Sequence, residues 1–178
     1  MRLHELLSTK ERLKILANIL YKKDEINITE VAKEAGVSKG LVSNFFGILT
    51  KEKILSRRKR RFRVNDNIKV KALKIFLNLY KIDENLFRKF GFVKGVGLYG
   101  SFVKGENSED SDIDMWIIVD KTDEENLAKL GKELKKRYGN VRPLYLTDEK
   151  IKALKEKDKV FYYSLVFGSI TVYGEKIE

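Results

Sequence analysis

Apolar residues recur at helical spacing in three stretches near the start of the chain. The first stretch spans residues 8–22, and the second spans residues 30–35, with Thr29 as its expected N-cap and Gly36 at its end. The third stretch spans residues 38–53. Because apolar positions three and four apart lie on one face of a helix, the pattern predicts three amphipathic helices, the last two joined by a tight turn.

After the third helix the apolar pattern becomes shorter and more varied. Residues 54–64 predict a hairpin, because apolar positions flank a run of five basic residues, and residues 68–80 predict a further helix. Later runs predict strands at 93–99, 113–119, 141–146 and 170–173, with helices at 123–138 and 148–167. The order predicts an α+β protein with domains at 1–66 and 91–178 and a connecting helix at 67–90.

The rare residue types exclude whole classes of chemistry. The 178 residues contain no Cys and one His. A disulfide framework, a Cys/His zinc site and, unless His4 supplies the base, a Ser-His-Asp triad are therefore excluded. We expect any catalysis to rest on carboxylates and backbone groups.

Charge is divided unevenly along the chain. The formal net charge is +11, and residues 1–90 carry 22 Lys and Arg against 10 Asp and Glu, whereas residues 91–178 carry 15 against 16. A basic half beside a near-neutral half indicates that one domain meets a polyanion while the other has a different task.

The start of the chain predicts no signal peptide, because charged residues interrupt its apolar positions. No apolar run is long enough for a membrane span, so we expect a cytoplasmic protein without a membrane partner. Heavy use of Lys, Glu and Ile, with no Gln, is typical of thermophile proteins.

The basic half has a pattern typical of nucleic-acid binding. Its second and third helices form a helix-turn-helix layout, and consecutive cations on the hairpin repel one another unless they face a polyanion. The candidate DNA-binding residues are Ser38, Lys39, Ser43 and Asn44 on the third helix and Arg57, Arg58, Lys59, Arg60 and Arg61 on the hairpin. Double-stranded DNA is the expected ligand, RNA is the alternative, and a helical domain with a solvated charge run is the third interpretation.

Residues 8–66, which include AGVSKGLVSNFF and RRKRRFRV, resemble the winged helix-turn-helix domains of archaeal and bacterial transcription regulators. The resemblance implies a regulatory role and, because such regulators read two half-sites, a homodimer. The helix at 68–80 is apolar on more than one face, through Val70, Leu73, Phe76, Leu77 and Tyr80. Either dimer contact or packing against both domains of one chain explains that pattern.

The segment GLYGSFVKGENSEDSDIDMWIIV carries the candidate chemistry of the second half. Gly100 and Ser101 end a strand and begin a helical turn, so backbone amides and a hydroxyl can face a triphosphate, and Gly105 allows a second close approach. Ten residues separate Ser101 from Asp112, and Asp112 and Asp114 point to one face at the start of the next strand. Two carboxylates beside a phosphate cradle predict a Mg²⁺ site for phosphoryl transfer.

This motif, GS followed after ten residues by DxD, resembles that of the minimal nucleotidyltransferases of the DNA polymerase beta superfamily, and the resemblance covers about 91–174. It implies nucleotide binding at Gly100, Ser101 and Gly105, and Mg²⁺ or Mn²⁺ at the catalytic pair Asp112 and Asp114. The family also implies a third carboxylate on a later strand, yet VRPLYLT contains none.

Several acidic residues are candidates for the third carboxylate. Glu106, Glu109 and Asp110 lie in the motif loop, where a solvated loop face is the alternative. Asp148 and Glu149 follow the third strand, where an N-cap role explains them equally well. An Asp engineered at Leu144 or Tyr145, whichever faces the site, is expected to restore the missing group.

Three functions therefore stay open. The first is a DNA-binding regulator whose second domain binds nucleoside triphosphate and Mg²⁺. The second is an antitoxin-like transferase that moves a nucleoside monophosphate to a protein or small-molecule hydroxyl. The third is an interaction module with a relict site.

Overall fold

The computed structural model describes residues 3–178; Met1 and Arg2, which begin the predicted first domain, lie outside the described residues. The chain forms two compact units. Of the described residues, the first comprises 3–77 and Asn107–Asp110, and the second comprises Asn78–Glu106 and Ser111–Glu178.

The first unit consists of helices followed by a short hairpin. Its elements are α1 (Leu3–Leu7), α2 (Lys10–Ile19), α3 (Ile28–Ala35), α4 (Lys39–Lys51), β1 (Leu55–Arg58), β2 (Arg61–Val64) and the beginning of α5 (Ile68–Tyr80). The predicted three helices, hairpin and further helix are confirmed, and α1 is an additional element. The hairpin gains a bridge to Ile26, which exchanges two backbone hydrogen bonds with Phe62 at 2.8 and 2.9 Å.

The turn between α3 and α4 is fixed at both ends by capping. The predicted N-cap at Thr29 is wrong: Asn27 caps α3 by accepting a hydrogen bond from the Glu30 amide at 2.9 Å, so Thr29 lies within the helix. Gly36 ends α3 in the left-handed region, at a φ of 64°. Ser38 then starts α4, and its Oγ accepts a hydrogen bond from the Leu41 amide at 3.2 Å.

The core of the first unit explains much of the apolar pattern of α5. Val70, Leu73 and Leu77 are buried in one cluster with the apolar sides of α2 and α4. Packing within the chain therefore accounts for these three residues. Phe76 and Tyr80 are exposed.

The second unit is a mixed sheet with helices around it. Its elements, after the end of α5, are α6 (Glu84–Arg88), β3 (Val93–Leu98), α7 (Ser101–Lys104), β4 (Ile113–Val119), α8 (Glu124–Tyr138), β5 (Val141–Leu146), α9 (Asp148–Lys157), α10 (Lys159–Gly168) and β6 (Ile170–Gly174). The strand order is β5-β4-β3-β6, with β4 and β5 parallel and the other pairs antiparallel. The α+β class with a mixed sheet is thereby confirmed.

One predicted helix is in fact two. Residues 148–167 are divided at Asp158, whose backbone leaves the helical region and whose Oδ1 accepts a hydrogen bond from the Phe161 amide at 3.0 Å. Because Asp158 serves as the N-cap of α10, the chain can change direction there. The short helix α6, capped by Asp83, was not predicted.

The two faces of β4 have different neighbours. Met115 and Ile117 are buried in the cluster that contains Leu130 and Leu134 of α8. Trp116, on the opposite face, is fully buried in the cluster that contains Tyr162 and Leu165 of α10. The start of β4 is consequently anchored on both faces. Among residues 3–178, no helix combines the length and apolar content that a bilayer crossing requires.

Candidate functional site

The two aspartates of the motif lie side by side at the start of β4. Asp112 directly precedes the strand and Asp114 is its second residue. Because side chains alternate along a strand, both carboxylates lie on the face that carries Trp116. The predicted pair is therefore brought together, on a strand whose position is fixed by its core.

The turn after β3 lies directly against this pair. The Tyr99 amide donates a hydrogen bond to the Asp114 carbonyl oxygen at 3.1 Å. Gly100 has φ 70° and ψ −146°, a conformation that is essentially restricted to glycine. A Cβ added at Gly100 would lie 2.5 Å from Asp114 Oδ2, so only glycine lets the backbone approach the carboxylate this closely.

Ser101 and Gly105 delimit the short helix that follows the turn. Ser101 is the first residue of α7, and its carbonyl oxygen accepts hydrogen bonds from the Gly105 and Glu106 amides. Gly105 is buried and ends α7 at a φ of 67°. Gly100, Ser101 and the two aspartates thus belong to one local arrangement, and Gly105 shapes the end of its loop.

Arg142 of β5 is a component of the site that the sequence analysis missed. Its Nη2 lies 2.6 Å from Asp112 Oδ2, and the parallel register of β4 and β5 sets Arg142 directly beside Asp114. The side chain of Arg142 is 73% exposed, whereas that of Asp112 is 30% exposed. A cation therefore stands next to both carboxylates while keeping contact with solvent.

The charges of the site act on one another. Burial raises the pKa of the Asp114 carboxyl above its ordinary value; the Arg142 guanidinium opposes this rise and the Asp112 carboxylate adds to it. Burial also raises the pKa of the Tyr99 phenol, and the negative charge of Asp114 acts in the same direction. These effects place Tyr99 and Arg142 in the electrostatic surroundings of Asp114.

Among residues 3–178, no third carboxylate joins the pair to form a metal-binding group. Within the described part of the chain, no group of three or more His, Cys, Asp or Glu side chains could hold a metal ion. Asp110 instead pairs with Lys23 at 3.0 Å, and both side chains are exposed. The expected N-cap role of Asp148 or Glu149 is wrong, because Thr147 caps α9 and both residues lie in its first turn.

Of the two positions suggested for an engineered carboxylate, Leu144 lies on the sheet face of the aspartates and Tyr145 on the opposite face. Leu144 pairs with Trp116, one step further into the sheet, and packs against the cluster that contains this Trp. Tyr145 packs against the cluster on the other face, and its hydroxyl donates to the Leu127 carbonyl oxygen at 3.3 Å. The β5 position beside Asp114 is that of Arg142.

The donor set fits one Mg²⁺ or Mn²⁺ ion with a bound phosphate. Mg²⁺ is commonly held by one or two carboxylates together with waters and substrate phosphates, and Asp112 and Asp114 supply the carboxylates. The absence of a Cβ at Gly100 lets the backbone of this turn lie against the Asp114 carboxylate, so a phosphate that contacts the turn would also lie near a metal held by the aspartates.

The candidate residues on α4 are all exposed. Ser38, Lys39, Ser43 and Asn44 face solvent, while Val42, Phe45, Phe46 and Leu49 on the opposite side are buried. The Ser38 Oγ is engaged as the N-cap acceptor, so its hydroxyl hydrogen remains for a further contact.

The hairpin carries its arginines in two different settings. The antiparallel register places Arg58 opposite Arg61, and Arg63 lies two residues further on the same outer face. Arg57 lies on the other face, with its guanidinium 5.9 Å from the centre of the Phe62 ring and its Nε donating to the Lys59 carbonyl oxygen. Arg63 was missed because Phe62 separates it from the basic run; the two-residue periodicity of the strand would have identified it.

The turn of the hairpin is basic as well. Lys59 and Arg60 are exposed, and Lys59 adopts a φ of 52°. Glu25 lines a surface cavity together with Arg58, Lys59, Arg60 and Arg61. The hairpin thus presents a cationic outer surface, which we call the arginine face and define by Arg58, Arg61 and Arg63.

Several solved structures resemble this chain. A mutant of the MntA–HpeT toxin–antitoxin pair has 19% sequence identity and a TM-score of 0.40, over 53% of this chain and 75% of that chain. A toxin–antitoxin structure with AMP-PNP has 20% identity and a TM-score of 0.39, with the same coverage. A tri-AMPylated Shewanella oneidensis HEPN toxin in complex with MNT antitoxin has 20% identity and a TM-score of 0.37, over 57% of this chain and 73% of that chain.

The family relationship comes from the sequence model that matches the chain. No curated protein matches it. The family model described as polymerase beta, nucleotidyltransferase matches residues 81–178, more than half of the chain and the whole of the sheet that carries Gly100, Asp112 and Asp114. The chain therefore belongs to the polymerase beta nucleotidyltransferase family.

Proposed function

We propose that this protein is a DNA-binding regulator whose nucleotidyltransferase unit binds a nucleoside triphosphate with Mg²⁺. The observation that carries the nucleotide site is the close packing of the Gly100 turn against the Asp114 carboxylate, where a Cβ would lie 2.5 Å from Asp114 Oδ2, with Asp112 beside it. One short region thereby combines a backbone free of side-chain obstruction with two hard oxygen ligands.

The residues of the site have separate tasks in this proposal. Asp112 and Asp114 hold the divalent cation, and the backbone around Gly100 together with the Ser101 hydroxyl faces the phosphates. A bound Mg²⁺ supplies charge neutralisation of the phosphate oxygens and polarises the phosphorus centre. The raised pKa of the Asp114 carboxyl favours its proton, so cation binding weakens as the solution becomes acidic.

Nucleotide transfer is expected to be slow or absent. In-line transfer requires a group that accepts the proton of the attacking hydroxyl, and loss of a general base typically lowers a rate by about 10²- to 10⁴-fold. The β5 residue beside Asp114 is Arg142, which carries no lone pair for that proton.

The DNA-binding part of the proposal is supported by the first unit. The tight turn at Gly36 joins α3 to α4, and the exposed side of α4 carries short polar groups suited to base edges. The hairpin then acts as a wing whose arginine face contacts phosphates. A homodimer on two half-sites belongs to the same proposal, and sedimentation with and without DNA measures it.

Calorimetric titration of the full chain tests the nucleotide site. Non-hydrolysable analogues of the four ribonucleoside triphosphates are each titrated in Mg²⁺ and in EDTA. We expect at least one to bind in Mg²⁺ and to lose about tenfold or more in EDTA. Absence of binding in Mg²⁺, or equal affinity in EDTA, contradicts the proposal. Fluorescence of Trp116, the one Trp of the sequence, gives a second signal because it shares the sheet face of Asp114.

An active transferase is the second candidate function. The close approach of Gly100 to the intact Asp112 and Asp114 pair favours it, because a site that only binds nucleotide does not need two metal ligands. Its acceptor would be a hydroxyl of a protein or small molecule. Labelled-nucleotide transfer onto this protein and onto proteins encoded beside it tests this candidate. Rapid transfer would contradict the proposal that transfer is slow or absent.

A further inference from the structure

The position of Arg142 raises the question of how many metal ions the site holds. Family members with a third carboxylate have an anionic ligand on the strand that follows the aspartate pair. Here the parallel register sets a guanidinium beside Asp114, and its Nη2 is 2.6 Å from Asp112 Oδ2. The Arg142 guanidinium is thus paired with Asp112, one of the two candidate metal ligands.

Charge balance argues against two divalent cations in this arrangement. Two-metal phosphoryl-transfer sites place their ions about 3.5–4 Å apart, and two cations at that distance need anionic protein ligands in addition to the phosphate oxygens. Asp112 and Asp114 supply two negative charges, and Arg142 has already added one positive charge to them. The described residues offer no third acidic ligand at this place.

A guanidinium can perform part of the task of a metal ion. It is always charged, and its planar fork has five donors, so one edge can stay on Asp112 while the other meets phosphate oxygens. The 73% exposure of Arg142 leaves those other donors accessible. At such exposure an ion pair contributes little to stability, so folding alone does not require an arginine here.

We propose that Arg142 takes the place of a second divalent cation, contacting the triphosphate directly, so that the site holds a single Mg²⁺ or Mn²⁺. The inference rests on the proposed nucleotide binding and adds to it a stoichiometry and a specific phosphate-binding residue. In such a site, one divalent cation held by the two carboxylates and the Arg142 guanidinium together offset the negative charge of the triphosphate.

Electron paramagnetic resonance with Mn²⁺ distinguishes one ion from two. The full chain is mixed with a non-hydrolysable triphosphate that binds it and with two equivalents of Mn²⁺. We expect isolated ions in the wild type and magnetically coupled Mn²⁺ pairs in Arg142→Asp, which restores a third carboxylate. Arg137→Asp is the matched control, because Arg137 of α8 forms a comparable surface pair at 3.2 Å with Asp83, the N-cap of α6.

A second measurement keeps the inference testable if the Asp variant folds poorly. Arg142→Gln should weaken triphosphate binding in Mg²⁺ by about tenfold, because a charge-assisted contact is lost, and Arg142→Lys should recover part of it. Folding of each variant is checked by circular dichroism. Unchanged affinity of the Gln variant overturns the phosphate contact.

The remaining outcomes separate this inference from the proposed function. Coupled Mn²⁺ pairs in the wild type, or only isolated ions in a folded, nucleotide-binding Arg142→Asp variant, overturn the single-metal site and leave nucleotide binding intact. A wild type that binds no triphosphate with Mg²⁺ or Mn²⁺ instead overturns the proposed function.

Discussion

The hairpin of the first unit and the β4–β5 pair of the second unit both place an arginine beside a charged residue on the neighbouring strand. In the hairpin Arg58 faces Arg61, and like charges directly opposite each other are destabilising. In the sheet Arg142 stands beside Asp114 and contacts Asp112. The same residue type therefore faces another arginine across the strands in one region, whereas in the other its charge is compensated by carboxylates.

This difference indicates two kinds of ligand. The arginine face gains most from an extended anion such as DNA, because its phosphates offset the repulsion between the arginines. The compensated site gains most from a ligand that brings negative charge and a metal ion together. Its two carboxylates can then bind the metal, and the Arg142 guanidinium can bind a phosphate. The arrangement of partners, more than the number of cations, separates the two functions that we propose.

The largest expected effect comes from removing the carboxylates of the compensated site. Asp112→Asn combined with Asp114→Asn should lower Mg²⁺-dependent triphosphate affinity by about 100-fold or more, because the metal loses both protein ligands. Calorimetry measures this. Asp120→Asn, at the other end of β4, is the control and should retain wild-type affinity. Equal affinities for the double variant and the wild type would mean that the pair is only a structural remnant.

The next largest effect concerns the arginine face. Replacing Arg58, Arg61 and Arg63 by Ala should lower the slope of log affinity for DNA against log salt by about 2.7, if each neutralises one phosphate. Removing Arg57 alone should change the slope less, because its side chain is engaged with Phe62 and Lys59. Fluorescence anisotropy over a salt series measures both.

A charge-matched control completes that experiment. Ala substitutions at Lys132, Lys135 and Lys136 of α8 remove the same charge from the second unit. They should leave the salt slope near its wild-type value. A triple-arginine variant that behaves like this lysine control excludes the wing.

A smaller effect is expected from the backbone next to Asp114. Gly100→Ala introduces a Cβ that meets Asp114 Oδ2 and forces a conformation that costs about 1–3 kcal/mol. Triphosphate affinity should fall about tenfold or more. Gly139→Ala is a matched control, because Gly139 has a φ of 75° but open space around its Cβ. Both variants should lose stability in urea, and only Gly100→Ala should lose affinity.

The smallest predicted effect reports on the first unit alone. Burial raises the pKa of Tyr21 to about 12, above the ordinary value near 10. The corresponding stability is complete below pH 10 and is lost as the pH rises toward 12, because the unfolded chain releases the phenol proton first. Between pH 8 and pH 11 the wild type should lose about 1 kcal/mol more than Tyr21→Phe in urea unfolding. An equal loss in both proteins contradicts this assignment.

Local sequence signals predicted most of the fold. The apolar periodicity identified α2, α4 and α8 and the strands of the mixed sheet, because those elements bury one regular face. Single-residue choices were less predictable. Asn27, not Thr29, caps α3, and Asp158 divides the last helical stretch, because capping depends on the backbone conformation that the whole turn adopts.

The site was only partly predictable for a different reason. The motif gives Gly100, Ser101, Asp112 and Asp114 directly, since their spacing is local. Arg142 becomes a site residue only through the parallel pairing of β4 with β5, and α8 separates these strands in the sequence. The register between strands distant in sequence depends on the packed core. The segment VRPLYLT alone therefore showed that a carboxylate is missing, but it did not show that Arg142 lies beside Asp114.

The proposed nucleotide site is tested most directly by a crystal structure of the full chain with Mn²⁺ and a non-hydrolysable triphosphate, with the metal located by its anomalous signal. We expect one Mn²⁺ bound by Asp112, Asp114 and phosphate oxygens, with the phosphates against the Gly100 backbone and the Arg142 guanidinium. A metal bound elsewhere, or a triphosphate bound away from Gly100, would contradict it.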